Sequence, residues 1–120
     1  MTTTIDRVRL AEAYLDGGDA LAAFDMLAEL REELEGHSAG TFLLARTYYH
    51  TAQLGLAQET LERLVEAEPT DHYARFLLGR TLERRSRPAE AVRHYRLALA
   101  MAEEPEYRER LERALERAGQ

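Results

Sequence analysis

The sequence predicts an all-α solenoid built from three antiparallel helix hairpins and closed by a C-terminal capping helix. Two observations carry this. When the 120-residue chain is shifted against itself by 34 residues, apolar and small side chains fall into register. The aligned sets are Leu10, Leu44 and Leu78; Ala11, Ala45 and Gly79; Tyr14, Tyr48 and Leu82; Ala23, Ala57 and Ala91; Leu27, Leu61 and Tyr95; and Leu30, Leu64 and Ala98. The clearest unit, Ser38 to Asp71, reads as two helices joined by a short turn. A helical repeat of this length cannot bury its own apolar face and stacks on its neighbours instead.

The elements follow in order. Thr3 caps a first helix, with Asp6 in the reciprocal position of a capping box, and the helix runs to about Leu15. Leu10, Ala11 and Tyr14 are spaced as one buried face. Gly17 and Gly18 end this helix, and Asp19 caps a second, Ala20 to about Glu35. Ser38 is read as the cap of a third helix that reaches about Ala52, and Gln53, Leu54 and Gly55 occupy the place of the first unit's glycine turn. The fourth helix, Leu56 to Glu68, stops at Pro69. Asp71 caps the fifth, which extends to about Arg85. Pro88 stands in the first turn of the sixth, where its missing N–H costs nothing. Pro105 opens an unpaired last helix with an apolar face of Leu111, Ala114, Leu115 and Ala118, and with Glu106–Arg110 and Glu109–Arg113 as supporting pairs. The predicted repeats are 4–37, 38–71 and 72–105, with the cap at 106–119, in one domain.

Composition narrows the function classes. The formal net charge of −6 argues against a nucleic-acid backbone as main ligand. There is no cysteine, which excludes disulfides and thiolate metal sites. No basic start leads into an apolar run, and no membrane-length apolar stretch occurs, so a cytoplasmic location away from the membrane is expected. All sixteen basic residues are arginine, a bias that a GC-rich genome explains. His37, His50, His72 and His94 lack the i, i+4 pairing of a helical metal site, and no phosphate loop is present. Neither a metal nor another cofactor is expected, and no catalytic set is visible.

The 34-residue helix-turn-helix unit resembles the tetratricopeptide repeat family. The third unit carries the resemblance best, with Leu78-Gly79 followed by Ala91, Tyr95 and Ala98. The first two units put Ala11 and Ala45 for the glycine, and Leu27 and Leu61 for the aromatic. Arg7, Thr41 and Arg75 stand where the family often has tryptophan. The resemblance implies a right-handed superhelix whose first helices line a concave groove for a peptide or helix of another protein. The family's carboxylate clamp of Lys and Asn is missing here, since Val8, Glu12, Phe42 and Arg46 hold the corresponding places.

Helical spacing places Phe42, Arg46, Tyr49 and His50 on one stripe of the third helix, beside its core-facing side. Phe76, Arg80 and Arg84 make the equivalent stripe on the fifth, which also carries Glu83 outside the binding set, with Tyr73 one turn earlier. Aromatic and arginine side chains dominate binding hot spots. These eight residues are the expected partner-binding set, suited to an acidic peptide with apolar side chains. The competing reading has the phenylalanines packing between helices and the arginines pairing with Glu12 or Glu83. The alternative function is a self-associating scaffold unit, a homodimer that hides Phe42 and Phe76.

Overall fold

A computed structural model describes residues 3–119. Among them lie seven α-helices and no strand: α1 (Thr4–Asp16), α2 (Ala20–Glu29), α3 (Ser38–His50), α4 (Leu54–Ala67), α5 (His72–Arg84), α6 (Pro88–Met101) and α7 (Pro105–Ala118). They divide into two compact units, Met1–Thr60 and Leu61–Gln120. In the first, α1 packs on α2 and both touch α3; in the second, α6 packs between α5 and α7.

The predicted helix starts hold where a side chain or a proline encodes them. Thr3 and Asp6 form the reciprocal capping box, and Asp19 and Asp71 accept from the backbone of Ala22 and Ala74, each at 3.0 Å. Pro88 and Pro105 occupy the first turns of α6 and α7. Several boundaries differ from expectation: α3 ends at His50 rather than near Ala52, and α4 opens at Leu54 rather than Leu56. The cap of α3 is His37, whose Nδ1 accepts from the Gly40 amide at 3.2 Å, while Ser38 is already inside the helix. Helix α2 ends at Glu29 rather than near Glu35. Beyond it, Leu30 and Arg31 bond back three residues instead of four. Glu32, Glu33 and Glu35 would have stood at a helix C-terminus, where the dipole disfavours anions. Leu30 and Leu34 stay buried in this turn segment, so the apolar face continues without the helix.

The hairpin turns repeat atom for atom. Gly18, Ala52 and Ser86, spaced by 34 residues, all have positive φ, at 88°, 60° and 62°. The residue after each donates its amide to a carbonyl five back: Asp19 to Tyr14, Gln53 to Tyr48, Arg87 to Leu82. The left-handed residue itself bonds three back, to Leu15, Tyr49 and Glu83. This is the Schellman termination, which satisfies carbonyls that a helix end leaves open. In the second hairpin Ala52 carries the left-handed conformation, and Gly55 lies within α4.

Burial follows the aligned positions, with one correction. Ala11, Ala23, Leu27 and Leu30 in the first unit, and Leu78, Leu82, Ala91, Tyr95 and Ala98 in the second, are enclosed. Leu10 and Tyr14, expected on a buried face, remain 46% and 39% exposed. Their repeat equivalents Leu44 and Tyr48 are buried, and the Tyr48 ring lies 6.0 Å from Phe24 of α2. Among the described residues no second helix precedes α1 to cover it in the same way. On α7, Ala114 is buried as expected, but Leu115 is exposed, and the helix anchors through Tyr107 instead.

His94 on α6 is half-buried, and its Nδ1 is enclosed with no hydrogen-bond partner. Burial, with the charges of Arg93 and Arg75, holds its pKa down at about 4, against an ordinary 6.5. The unfolded chain therefore takes up this proton first as pH falls. Full stability is present above about 6.5 and declines as the pH drops toward about 4. His94→Gln is expected to flatten that decline, which urea melts at neutral and mildly acidic pH will measure. The turns supply a second expectation. Because a left-handed residue with a Cβ costs roughly 1–2 kcal/mol, Ala52→Gly and Ser86→Gly should each stabilise the protein by about 1 kcal/mol in chemical denaturation.

Candidate functional site

The eight residues singled out from helical spacing divide equally between the two units, four on α3 and four on α5 and each set within its own helix. On α3, Phe42 is half-buried and His50 exposed, whereas Tyr49 is 7% exposed and meets the His50 ring edge-on at 5.3 Å. Arg46 reaches across to α1, where its Nη2 lies 3.2 Å from Asp16 Oδ1. The internal partner expected for it is Glu12. Asp16 sits one helical turn further along the same face and receives the guanidinium instead.

On α5, Tyr73 and Arg84 are exposed, and Arg80 is half-buried beside Glu106 of α7 at 3.8 Å. Glu106 is thereby directed to Arg80, while Glu109 and Arg113 form their predicted pair at 2.8 Å. Phe76 is a different kind of residue from its neighbours on the stripe. At 3% exposed, its ring stacks on Tyr107 at 4.5 Å and lies 5.4 Å from Tyr95. Phe76 and Tyr49 are packing residues in this structure. The surface of the two stripes is carried by Phe42, Arg46 and His50 on α3, and by Tyr73, Arg80 and Arg84 on α5.

Tyr95, Tyr107 and Arg117, none of them on the stripes, hold the α5 stripe in place, two of them through Glu83, which lies on it. Glu83 is 8% exposed and accepts from the Tyr95 hydroxyl at 2.6 Å and from Arg117 Nη1 at 2.6 Å. The buried carboxylate thus meets both a charge and a hydroxyl, the condition under which burial is tolerated. Burial and the Glu83 bond together raise the Tyr95 pKa, so the phenol stays protonated and donating. Tyr107 bonds His72 Nδ1 at 2.8 Å, and burial pushes its hydroxyl up to about 12. The sequence holds one sign of Tyr107, which stands 34 residues after Tyr73. Nothing local marks Glu83 and Arg117 as partners, because they are 34 residues apart on different helices.

The close fit behind this stripe depends on Gly79. A Cβ there would lie 2.5 Å from Tyr95 Cε1, so the glycine admits the aromatic ring. In the first hairpin Ala11 and Leu27 stand at these two places, both fully buried. The pairing of small residue with side-chain bulk therefore differs between hairpins at the same position.

Among the described residues no three His, Cys, Asp or Glu side chains gather as a metal site would require. No described helix is long and apolar enough to cross a membrane.

Comparison with known proteins agrees with this architecture. MamA AMB-1, in its P212121 crystal form, superposes with a TM-score of 0.87 at 22% identity, over 99% of this chain and 71% of that one. The type III secretion translocator chaperone SycD of Yersinia enterocolitica gives a TM-score of 0.77 at 18% identity, over 97% and 83% of the two chains. The nearly identical TPR-like repeats of a Podosopora anserina kinesin light chain give 0.78 at 22% identity, over 95% and 66%. No curated protein sequence matches. A family model described as Tetratricopeptide repeat matches residues 14–81, and with the helix-turn-helix units, the small-residue contacts and the repeated turns, this chain belongs to the tetratricopeptide repeat family.

Proposed function

We propose that this chain is a protein–protein interaction module whose first-helix stripes, that of α3 in one unit and that of α5 in the other, each suit an acidic peptide or helix of a partner. The tetratricopeptide fold generally mediates protein–protein interaction, and its members are typically not enzymes. The observation that carries the finer reading is the placement of Arg46, Arg80 and Arg84 on first helices of their hairpins, with Tyr73 and Phe42 beside them. Arg46 and Arg80 are already oriented by Asp16 and Glu106. Exposed pairs of this kind contribute only about 0.2–1 kcal/mol, so a partner carboxylate can replace either acid at little cost. Arginine's planar fork suits that exchange, and Tyr73 offers an aromatic face for apolar side chains of the same peptide.

A second reading is self-association, favoured by Ile5, Leu10 and Tyr14, which leave apolar surface exposed on α1. A quantitative pull-down with wild type and Arg46→Glu/Arg80→Glu separates the two, once circular dichroism shows equal helicity. We expect a partner that the variant loses. Retention by the variant would overturn the stripe assignment, and enrichment of the bait alone would favour self-association.

A further inference from the structure

The three hairpin turns share one backbone and carry unrelated sequences. Asp16-Gly17-Gly18-Asp19, His50-Thr51-Ala52-Gln53 and Arg84-Arg85-Ser86-Arg87 all make the same pair of terminating bonds. The backbone asks only that the third residue tolerate a left-handed conformation. The repeated backbone therefore does not set the charge of the turn: Arg84 and Arg85 stand at the C-terminal end of α5, which favours cations, but Arg87 stands at the start of α6.

The repeat equivalent of Arg87, Asp19, caps α2 by accepting from the Ala22 amide, whereas Arg87, at the start of α6, makes no side-chain cap bond. It forgoes a cap and also sets a cation at the positive end of a helix dipole. Arg84 is favoured by the C-terminal end of α5, but Arg87 has no such support. A local rule broken without compensation in the fold marks a position held for function.

The surroundings extend the positive surface. Residues 72–101 contain seven arginines against Glu83 and Glu90, and Glu83 is occupied by Tyr95 and Arg117. Residues 1–60 contain ten acidic residues and four arginines. The basic surface is thus confined to one stretch of an acidic chain, and residues 84–87 are all exposed.

We propose that the α5–α6 turn is a docking surface for a short acidic segment of a partner protein, held through Arg85 and Arg87. A few carboxylates match the few arginines. A nucleic-acid backbone needs phosphate contacts over an extended path, and the chain as a whole carries a net charge of −6. This surface lies at a hairpin turn, outside the Arg46 and Arg80 stripes, so each reading can fail without the other.

The test uses fluorescein-labelled octaglutamate, followed by anisotropy with wild type, Arg46→Glu/Arg80→Glu and Arg85→Glu/Arg87→Asp. Wild type should bind, and raising salt from about 50 to about 500 mM should weaken it. Arg85→Glu/Arg87→Asp should weaken binding about tenfold, as expected when two exposed ion pairs with the peptide are removed. Arg46→Glu/Arg80→Glu removes any peptide held on the stripes, and in that background the salt-sensitive binding at the turn and its loss with Arg85→Glu/Arg87→Asp should both persist. Arg87→Asp alone restores the cap seen at Asp19 and should raise Tm by about 4 °C, so lost affinity with gained stability excludes misfolding. The proposal is overturned by an absence of binding, by undiminished binding in the turn variant, or by tighter binding of an oligothymidylate of equal charge. Self-association in sedimentation that the turn variant abolishes would overturn it in favour of a second copy.

Discussion

Two helices of a hairpin can come close only where one of them carries almost no side chain. In this protein that constraint is met at Ala11 and Ala23 in the first hairpin and at Gly79 and Ala91 in the third, all fully or nearly fully buried. Gly79 takes it furthest, because the ring of Tyr95 fills the space that a Cβ would need. Once the ring is there, the rest of the second unit is determined around it. It lies tilted against Phe76, Phe76 stacks on Tyr107, and its hydroxyl must find an acceptor, which is Glu83. Glu83 in turn draws Arg117, so a missing methyl on α5 fixes how α7 is held.

Elements governed by near neighbours along the chain are legible in the residues themselves. The Thr3–Asp6 box, the caps Asp19 and Asp71, and the two prolines act within a few residues, and each marks a helix start correctly. The end of α2 is not legible in this way, because apolar periodicity continues through Leu30 and Leu34 although the backbone has already left the helix. Periodicity reports which side faces inward and is silent about the hydrogen bonds beneath it. His37 escapes recognition as a cap because ring nitrogens perform that role less often than Ser, Thr, Asp or Asn.

The candidate site is legible in part for a related reason. Spacing along α5 puts Phe76 beside Arg80 and cannot say that Tyr107 lies opposite to cover it. The same blindness applies to Leu10 and Tyr14, whose repeat equivalents are covered while they themselves are not. A helix face is a local property, but its accessibility belongs to whatever stands across from it. For Arg46 spacing finds the surface, but the guanidinium meets Asp16 rather than Glu12, and Arg80 meets Glu106 of another helix, which spacing along α5 does not reach.

The repeated turn has a consequence for how such a protein can change over generations. One residue in four is constrained by backbone conformation, and even that one is met by glycine, alanine or serine. The remaining three can be rewritten without disturbing a core contact. Their charge can drift from acidic to neutral to basic within a single chain, as the three copies here demonstrate. Duplication of a hairpin thus yields a new turn whose chemistry is open to selection while the scaffold beneath it is inherited unchanged.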